Sequence, residues 1–301
     1  MKGTAIETVT EFISAILVDL GKWGPGVKPW FRGESGTGLK LCPKIEAYKH
    51  NEENYFLQSF RRQAGGIGNA PPRDNIDEWL FLAQHYGVPT RLLDWTEGAL
   101  HALYFAINKG NRNCRVYMLN PRKLNNEAGV LTYGLNYPLS FGNSLGHLYV
   151  ANAWGNREII KQERIKIKKQ LDEEFSKADL NHDTDGKSKL MNRLLIIPIA
   201  FPAVYQDSRM ISQRSCFTIH GAELKPIREI LSENDVDESQ CLIEYNIDYE
   251  SQKDLMRQLN ILGISAASLF PDLDHLAEDL RFDIEQRRAQ SLKHEEHGVS
   301  P

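Results

Sequence analysis

Long apolar runs are missing from this chain. None approaches the roughly 20 residues a membrane-spanning helix needs, so no membrane association is expected. Cysteine is scarce: Cys42, Cys114, Cys216 and Cys241 lie far apart, with no CxxC pair among them. That speaks against a disulfide frame or a zinc site and fits reduced thiols in the cytoplasm. Strong charge of either sign is also missing. A net charge of -4 and a pI near 6.2 argue against a protein that coats nucleic acid generically, while leaving room for a local basic groove. The first residues show no basic segment followed by an apolar one, so no secretory signal is expected. There is no Walker A loop, GxSxG elbow, HExxH or Cys/His cluster. Hydrolase and metalloenzyme readings therefore lack support, and no metal is expected.

The chain has 301 residues, 41% of them hydrophobic, enough to bury a sizeable core. Its most informative stretch is EWLFLAQHYGVPTRLLDWTEGALHALYFAI, read with WFRGE at Trp30–Glu34. Here Arg32, His85, Arg91 and Asp94 stand among Trp30, Phe31, Leu92, Leu93 and Trp95. Cations and carboxylates in apolar surroundings are costly unless paired or given a ligand. Either a polar site sits inside a packed core, or an ion-pair network locks it.

Periodicity places the elements. Apolar residues at Phe12, Ile16, Leu17 and Leu20 predict an amphipathic helix over 8–20. WFRG reads as a short strand, and Pro43 suits a first helical turn. Helices are expected over 51–62, 76–86, 98–108 (capped by Thr96), 157–178, 251–262 and 272–288. Strands are expected at 92–96 (or a turn there), 115–119, 194–199, 216–220 and 242–247. The loop NHDTDG imitates the start of a calcium site, but Asn192 stands where the bidentate Glu is required. No repeat or linker is visible, so the expectation is an α+β fold. It would be a mixed single domain with a central, partly antiparallel sheet and surrounding helices.

Trp30-Phe31-Arg32-Gly33, QHYGVPTRLLDWT at 84–96 and ALYFAI at 102–107 resemble the FRG domain, a bacterial family named for its Phe-Arg-Gly motif. RMISQRSCFTIHG at 209–221 and LGISAASLFPDLDHLA at 262–277 resemble it too. The resemblance implies a lead-in over 1–27, an FRG domain over 28–278 with a charged helical insertion at about 156–192, and a tail over 279–301. It also implies a place in phage-defence or toxin–antitoxin loci, with an antitoxin or sensor protein as partner.

The order of elements is similar to that of ADP-ribosyltransferases, which would make the sheet ADP-ribosyltransferase-like and NAD the co-substrate. Carried over, Arg32 would hold the NAD phosphates or ribose, Thr96 would support that strand, and Tyr104 would face the nicotinamide. Gln213 would take the late position where a Glu is expected. Glutamine can hydrogen-bond a ribose hydroxyl but cannot act as a base or carry stabilising charge. Glu34 and Glu223 are the alternative carboxylates. Gly33 would let backbone approach the ligand, and His85 and Arg91 would complete the NAD contacts. The acceptor would be a protein or nucleic acid. The alternative is a non-catalytic recognition module in a defence or regulatory complex.

Each residue also has a plainer reading. Arg32 could pair with Asp94 or Glu34, Arg91 with Asp94 around a turn, and His85 could cap a helix C-terminus. Tyr104 and Phe105 could be core packing. For the charged helix 157–169, phosphate contact is weighed against a solvated face with i,i+4 pairs.

Overall fold

The computed structural model describes residues 5–36, 40–48, 52–67, 70–129, 144–177, 188, 192–202, 205 and 207–296. The calcium-like loop at 181–186 lies outside them.

Among the described residues six strands form one sheet: β1 (Trp30–Ser35), β2 (Leu92–Thr96), β3 (Cys114–Leu119), β4 (Ile199–Pro202), β5 (Ser215–Ile219) and β6 (Leu242–Ile247). Their order is β4-β5-β2-β1-β3-β6. Every strand pair is antiparallel, so the expectation of a partly antiparallel sheet is sharpened; a lone parallel bridge joins Ile6 to Ile247. The chain thus has an α+β fold.

The helices, in chain order, begin with α1 (Val9–Trp23), α2 (Glu52–Ala64), α3 (Ile76–His85) and α4 (Ala99–Ile107). Next come α5 (Pro121–Glu127), α6 (Ser144–Ala153), α7 (Arg157–Lys177) and the short α8 (Ser208–Ser212). The last are α9 (Ile227–Glu233), α10 (Glu238–Cys241), α11 (Gln252–Ile261), α12 (Ala266–Leu269) and α13 (Leu273–Glu296). Among the described residues no helix is long and apolar enough to cross a membrane.

Two hydrophobic clusters flank the sheet. One gathers Phe12, Phe31, Val116, Met118, Tyr245 and Leu255 under α1, α4 and α11. The other gathers Trp30, Trp79, Phe81, Trp95, Tyr149 and Phe217. Thr8 opens α1 with a reciprocal capping box to Glu11. Asp272 Oδ1 accepts from the His275 amide at 2.9 Å and so caps α13.

Two element expectations are corrected. LLIIPI was expected to be a strand from Leu194, but residues 194–197 turn and the strand starts at Ile199. Leu195 adopts φ +66°, and the Tyr149 hydroxyl accepts from Leu195 N at 3.1 Å and donates to Ile197 O at 2.6 Å. The N-cap of α4 is Gly98, not Thr96. The Thr96 hydroxyl instead accepts from the Gly98 amide at 3.0 Å and donates to Gln213 O at 2.7 Å, tying β2 to the turn before β5.

The sheet is unevenly stitched. β1 and β3 stay in register from Trp30↔Leu119 to Ser35↔Cys114, and β2 and β5 from Leu92↔Ile219 to Thr96↔Ser215. Between β1 and β2 the register holds at one pair, Phe31↔Thr96, after which the strands part. The result is a fork between two three-stranded halves, and the fork positions the site.

Candidate functional site

A hollow of about 590 Å³ opens at the fork. β1 contributes Phe31, Arg32 and Gly33; β2 contributes Asp94, Trp95 and Thr96. The end of α3 adds Gln84 and His85, α8 and the turn after it add Arg209 and Gln213, and Lys44 and Phe105 complete the rim. The volume suits a small-molecule ligand. The walls are aromatic, with Phe31, Phe81, Trp95 and Phe217 all buried. Phe81 and Phe217 lie with centroids 5.5 Å apart.

Arg32 is the central cation. Its Nε donates to Glu34 Oε1 at 2.7 Å and its Nη1 to the Asp94 carbonyl at 2.7 Å. The Asp94 carboxylate stands 4.0 Å from Nη1. Both plainer pairings thus coexist, and they orient the guanidinium without burying it: the side chain keeps 23% of its surface exposed. Nη2 has no partner among the described residues, which leaves one edge of the fork free for a ligand oxygen.

Asp94 is the carboxylate that sequence reasoning misplaced. It does not pair with Arg91; Gln84 Nε2 donates to its Oδ2 at 2.9 Å, and the side chain is 55% exposed within the hollow. Gln84 is itself set by the Thr90 hydroxyl at 2.6 Å. In a β-strand Asp94 alternates with buried Leu93 and Trp95, and that alternation was the available signal.

His85 ends α3, as expected, and its Nε2 lies 3.3 Å from Asp207 Oδ2. Gln213 Nε2 donates to Leu269 O at 3.2 Å, and its backbone carbonyl receives Thr96. The next residue, Arg214, adopts φ +50°, a left-handed conformation that costs a side-chain-bearing residue about 1 kcal/mol or more. Arg209 stacks over Phe270, 4.6 Å from its centroid.

The structure brings Arg32, Gly33, His85, Thr96 and Gln213 around one hollow. It does not bring Tyr104 or Arg91. Tyr104 is buried and faces a second hollow lined by Lys253, Glu278 and Asp279, its ring edge-on to that of Phe105 with centroids 6.1 Å apart. Burial, then Glu278 and Asp279, push its hydroxyl up to about 12. Helical phase decides this: adjacent residues point about 100° apart, so Phe105 lines the fork and Tyr104 the second hollow.

Arg91 is a buried structural cation. Its Nη2 lies 2.5 Å from Glu53 Oε2, its Nε 2.9 Å from the same oxygen, and its Nη1 donates to the carbonyls of Gly221 and His220. Gly33 has a structural role as well. A Cβ there would sit 1.9 Å from Ala102 O, so glycine lets α4 lie against β1 rather than clearing room for a ligand. Glu223 does not line the hollow, and Glu34 is committed to Arg32. Among the described residues no group of three His, Cys, Asp or Glu is arranged to hold a metal ion.

No curated protein and no solved structure matches the chain. A family model does, from just before β1 through the start of β3, covering both strands of the fork together with α3 and α4. Residues 28–114 match the family model of the FRG domain.

Proposed function

We propose that the fork binds NAD and that the chain is an ADP-ribosyltransferase-like effector or toxin of a phage-defence or toxin–antitoxin system. The observation that carries this reading is the half-free Arg32 guanidinium beside the exposed Asp94 carboxylate, in an aromatic hollow at a split in the sheet. Arginine suits phosphate oxygens through its planar set of donors. Arg32, Arg209, Lys44 and His85 would hold the pyrophosphate end, and the Gln213 amide would meet a ribose hydroxyl. Phe105 and Tyr86, both on the lining, take the stacking role that Tyr104 cannot reach.

In the reaction the bond between ribose C1′ and the nicotinamide nitrogen breaks. Nicotinamide leaves with the bonding pair as a neutral molecule, and an acceptor oxygen or nitrogen bonds to C1′ while its proton passes to water or a carboxylate. Positive charge grows on the ribose, and the Asp94 carboxylate offsets it. Asp94 thereby supplies the negative charge that Gln213 cannot.

Incubation of the purified chain with labelled NAD and cell lysate tests this. Label transfer and NAD binding that both vanish in Arg32→Ala, with the fold intact by circular dichroism, support the reading. Absence of both in the native chain overturns it. The second reading, a non-catalytic recognition module, is favoured by the neutral Gln213; NAD binding without transfer or free nicotinamide would select it.

A further inference from the structure

The cations of this chain are unevenly spread although its net charge is -4. No Asp or Glu occurs between Glu53 and Asp74, whereas Arg61, Arg62 and Arg73 all fall there. The C-terminal half of α2 and the segment after it fold these arginines around a hollow of about 1080 Å³, with Tyr55, Gln58 and Trp79 on its walls and no carboxylate among the described residues. Arg61 is fixed, donating to Arg73 O at 3.2 Å and to Gln58 Oε1 at 2.9 Å. Arg62 and Arg73 have no acidic partner among the described residues.

The basic surface continues onto α7. The Arg61 guanidinium stacks 4.9 Å from the Trp154 ring centroid, and Asn54 of α2 donates to Trp154 O just ahead of that helix. Residues 157–169 carry six Lys or Arg against two Glu. Lys166 and Lys169 reach Glu163 and Glu173, the i,i+3 and i,i+4 pairing expected of a solvated face. Arg157, Lys161, Arg164 and Lys168 do not: they recur at helical spacing on one exposed face, with no acidic partner among the described residues. They span about 17 Å of helix. Like charges so spaced repel each other, and a polyanion relieves the repulsion.

We infer that this surface binds the phosphodiester backbone of a single-stranded nucleic acid. Arginine forks fit phosphate oxygens, and Tyr55, 69% exposed at the hollow, offers a ring for a base to stack on. The concavity decides against a bilayer, since a flat headgroup plane cannot follow cations into a hollow whereas a flexible strand can. Aromatic contacts link this hollow to the fork, from buried Trp79 to Phe60 and from Phe60 to exposed Tyr86, each with centroids 6.3 Å apart. The inference does not rest on the NAD reading, because binding here requires no chemistry in the fork.

The experiment is fluorescence anisotropy of the full chain with short single-stranded RNA, single-stranded DNA and duplex DNA, titrated from about 50 to 200 mM salt. Single strands should bind with affinity that falls steeply with salt, and comparison of the RNA and DNA arms identifies the source. The pairs Arg62→Glu/Arg73→Glu and Lys161→Glu/Arg164→Glu should each weaken binding about tenfold or more. Arg62→Lys/Arg73→Lys should keep most of it, and Arg257→Glu on α11 should change nothing. Circular dichroism confirms each fold, and the two surface pairs give independent readings. No binding at low salt, equal affinity for duplex, indifference to both pairs, or capture by phosphatidylserine vesicles instead of oligonucleotides would each overturn the inference.

Discussion

Arg91 and Glu53, 38 residues apart in sequence, form a buried ion pair in which both guanidinium nitrogens facing the carboxylate lie within 3.0 Å of Glu53 Oε2. Their side chains are 5% and 3% exposed. The Glu53 carboxylate also accepts the Arg91 backbone amide at 2.9 Å, which pins α2 to the start of β2.

Removing one partner strands the other charge in the core. Glu53→Gln should cost about 3–5 kcal/mol, read as a fall in the urea midpoint. The double variant Glu53→Gln/Arg91→Met should be less destabilised than Glu53→Gln alone, because no unpaired charge remains. Equal or greater loss in the double variant would refute the electrostatic account.

Gly33→Ala should destabilise by about 1–3 kcal/mol, since the added methyl meets the Ala102 carbonyl of a helix packed along β1. Gly66 has open space around its Cβ position and serves as control. Thermal unfolding of the two variants makes the comparison; a Gly33→Ala protein as stable as Gly66→Ala would show that α4 can shift away.

His220 is fully buried beside Arg91, and burial first, then that guanidinium, push its imidazole down to about 3. Unfolded, it titrates near 6.5. Between these values the unfolded chain binds the extra proton, so this residue's contribution is complete above pH 6.5 and is lost as pH falls toward 3. The slope is about 1.4 kcal/mol per pH unit. Urea midpoints measured across pH 4–6 should flatten in His220→Gln relative to the native chain; parallel curves would assign the acid sensitivity elsewhere.

At the fork, Asp94→Asn should lower transfer roughly 10²–10³-fold while NAD affinity changes little, because the carboxylate matters most when charge develops. Tyr104→Phe should leave NAD binding within about twofold, since that hydroxyl faces the other hollow. Isothermal titration beside turnover separates the two variants. Loss of NAD binding in Tyr104→Phe would return the site to the arrangement suggested by the order of elements.

Much of the fold was legible because burial imposes a period. The expected helix over 76–86 and strand over 242–247 emerge as α3 and β6 within a residue at each end. LLIIPI was not, because a short apolar run suits a buried turn as well as a strand. The turn is chosen by Tyr149, some 46 residues away. The site was legible in its cations and not in its partners. A fragment such as TRLLDW shows that Arg91 and Asp94 are near in sequence, but not that Glu53 claims the first and the hollow the second. Tyr104 and Phe105 differ by one position, and only the orientation of α4 tells which of them meets the fork.

The single register pair between Phe31 and Thr96 has a consequence for how this molecule tolerates change. The two apolar clusters lie on opposite faces of the sheet, and Asp94, Gln213 and Arg209 on the lips of the fork belong to neither. Substitutions at these three positions can retune what the molecule recognises while both interiors stay packed, giving selection an editable seam above a shared core.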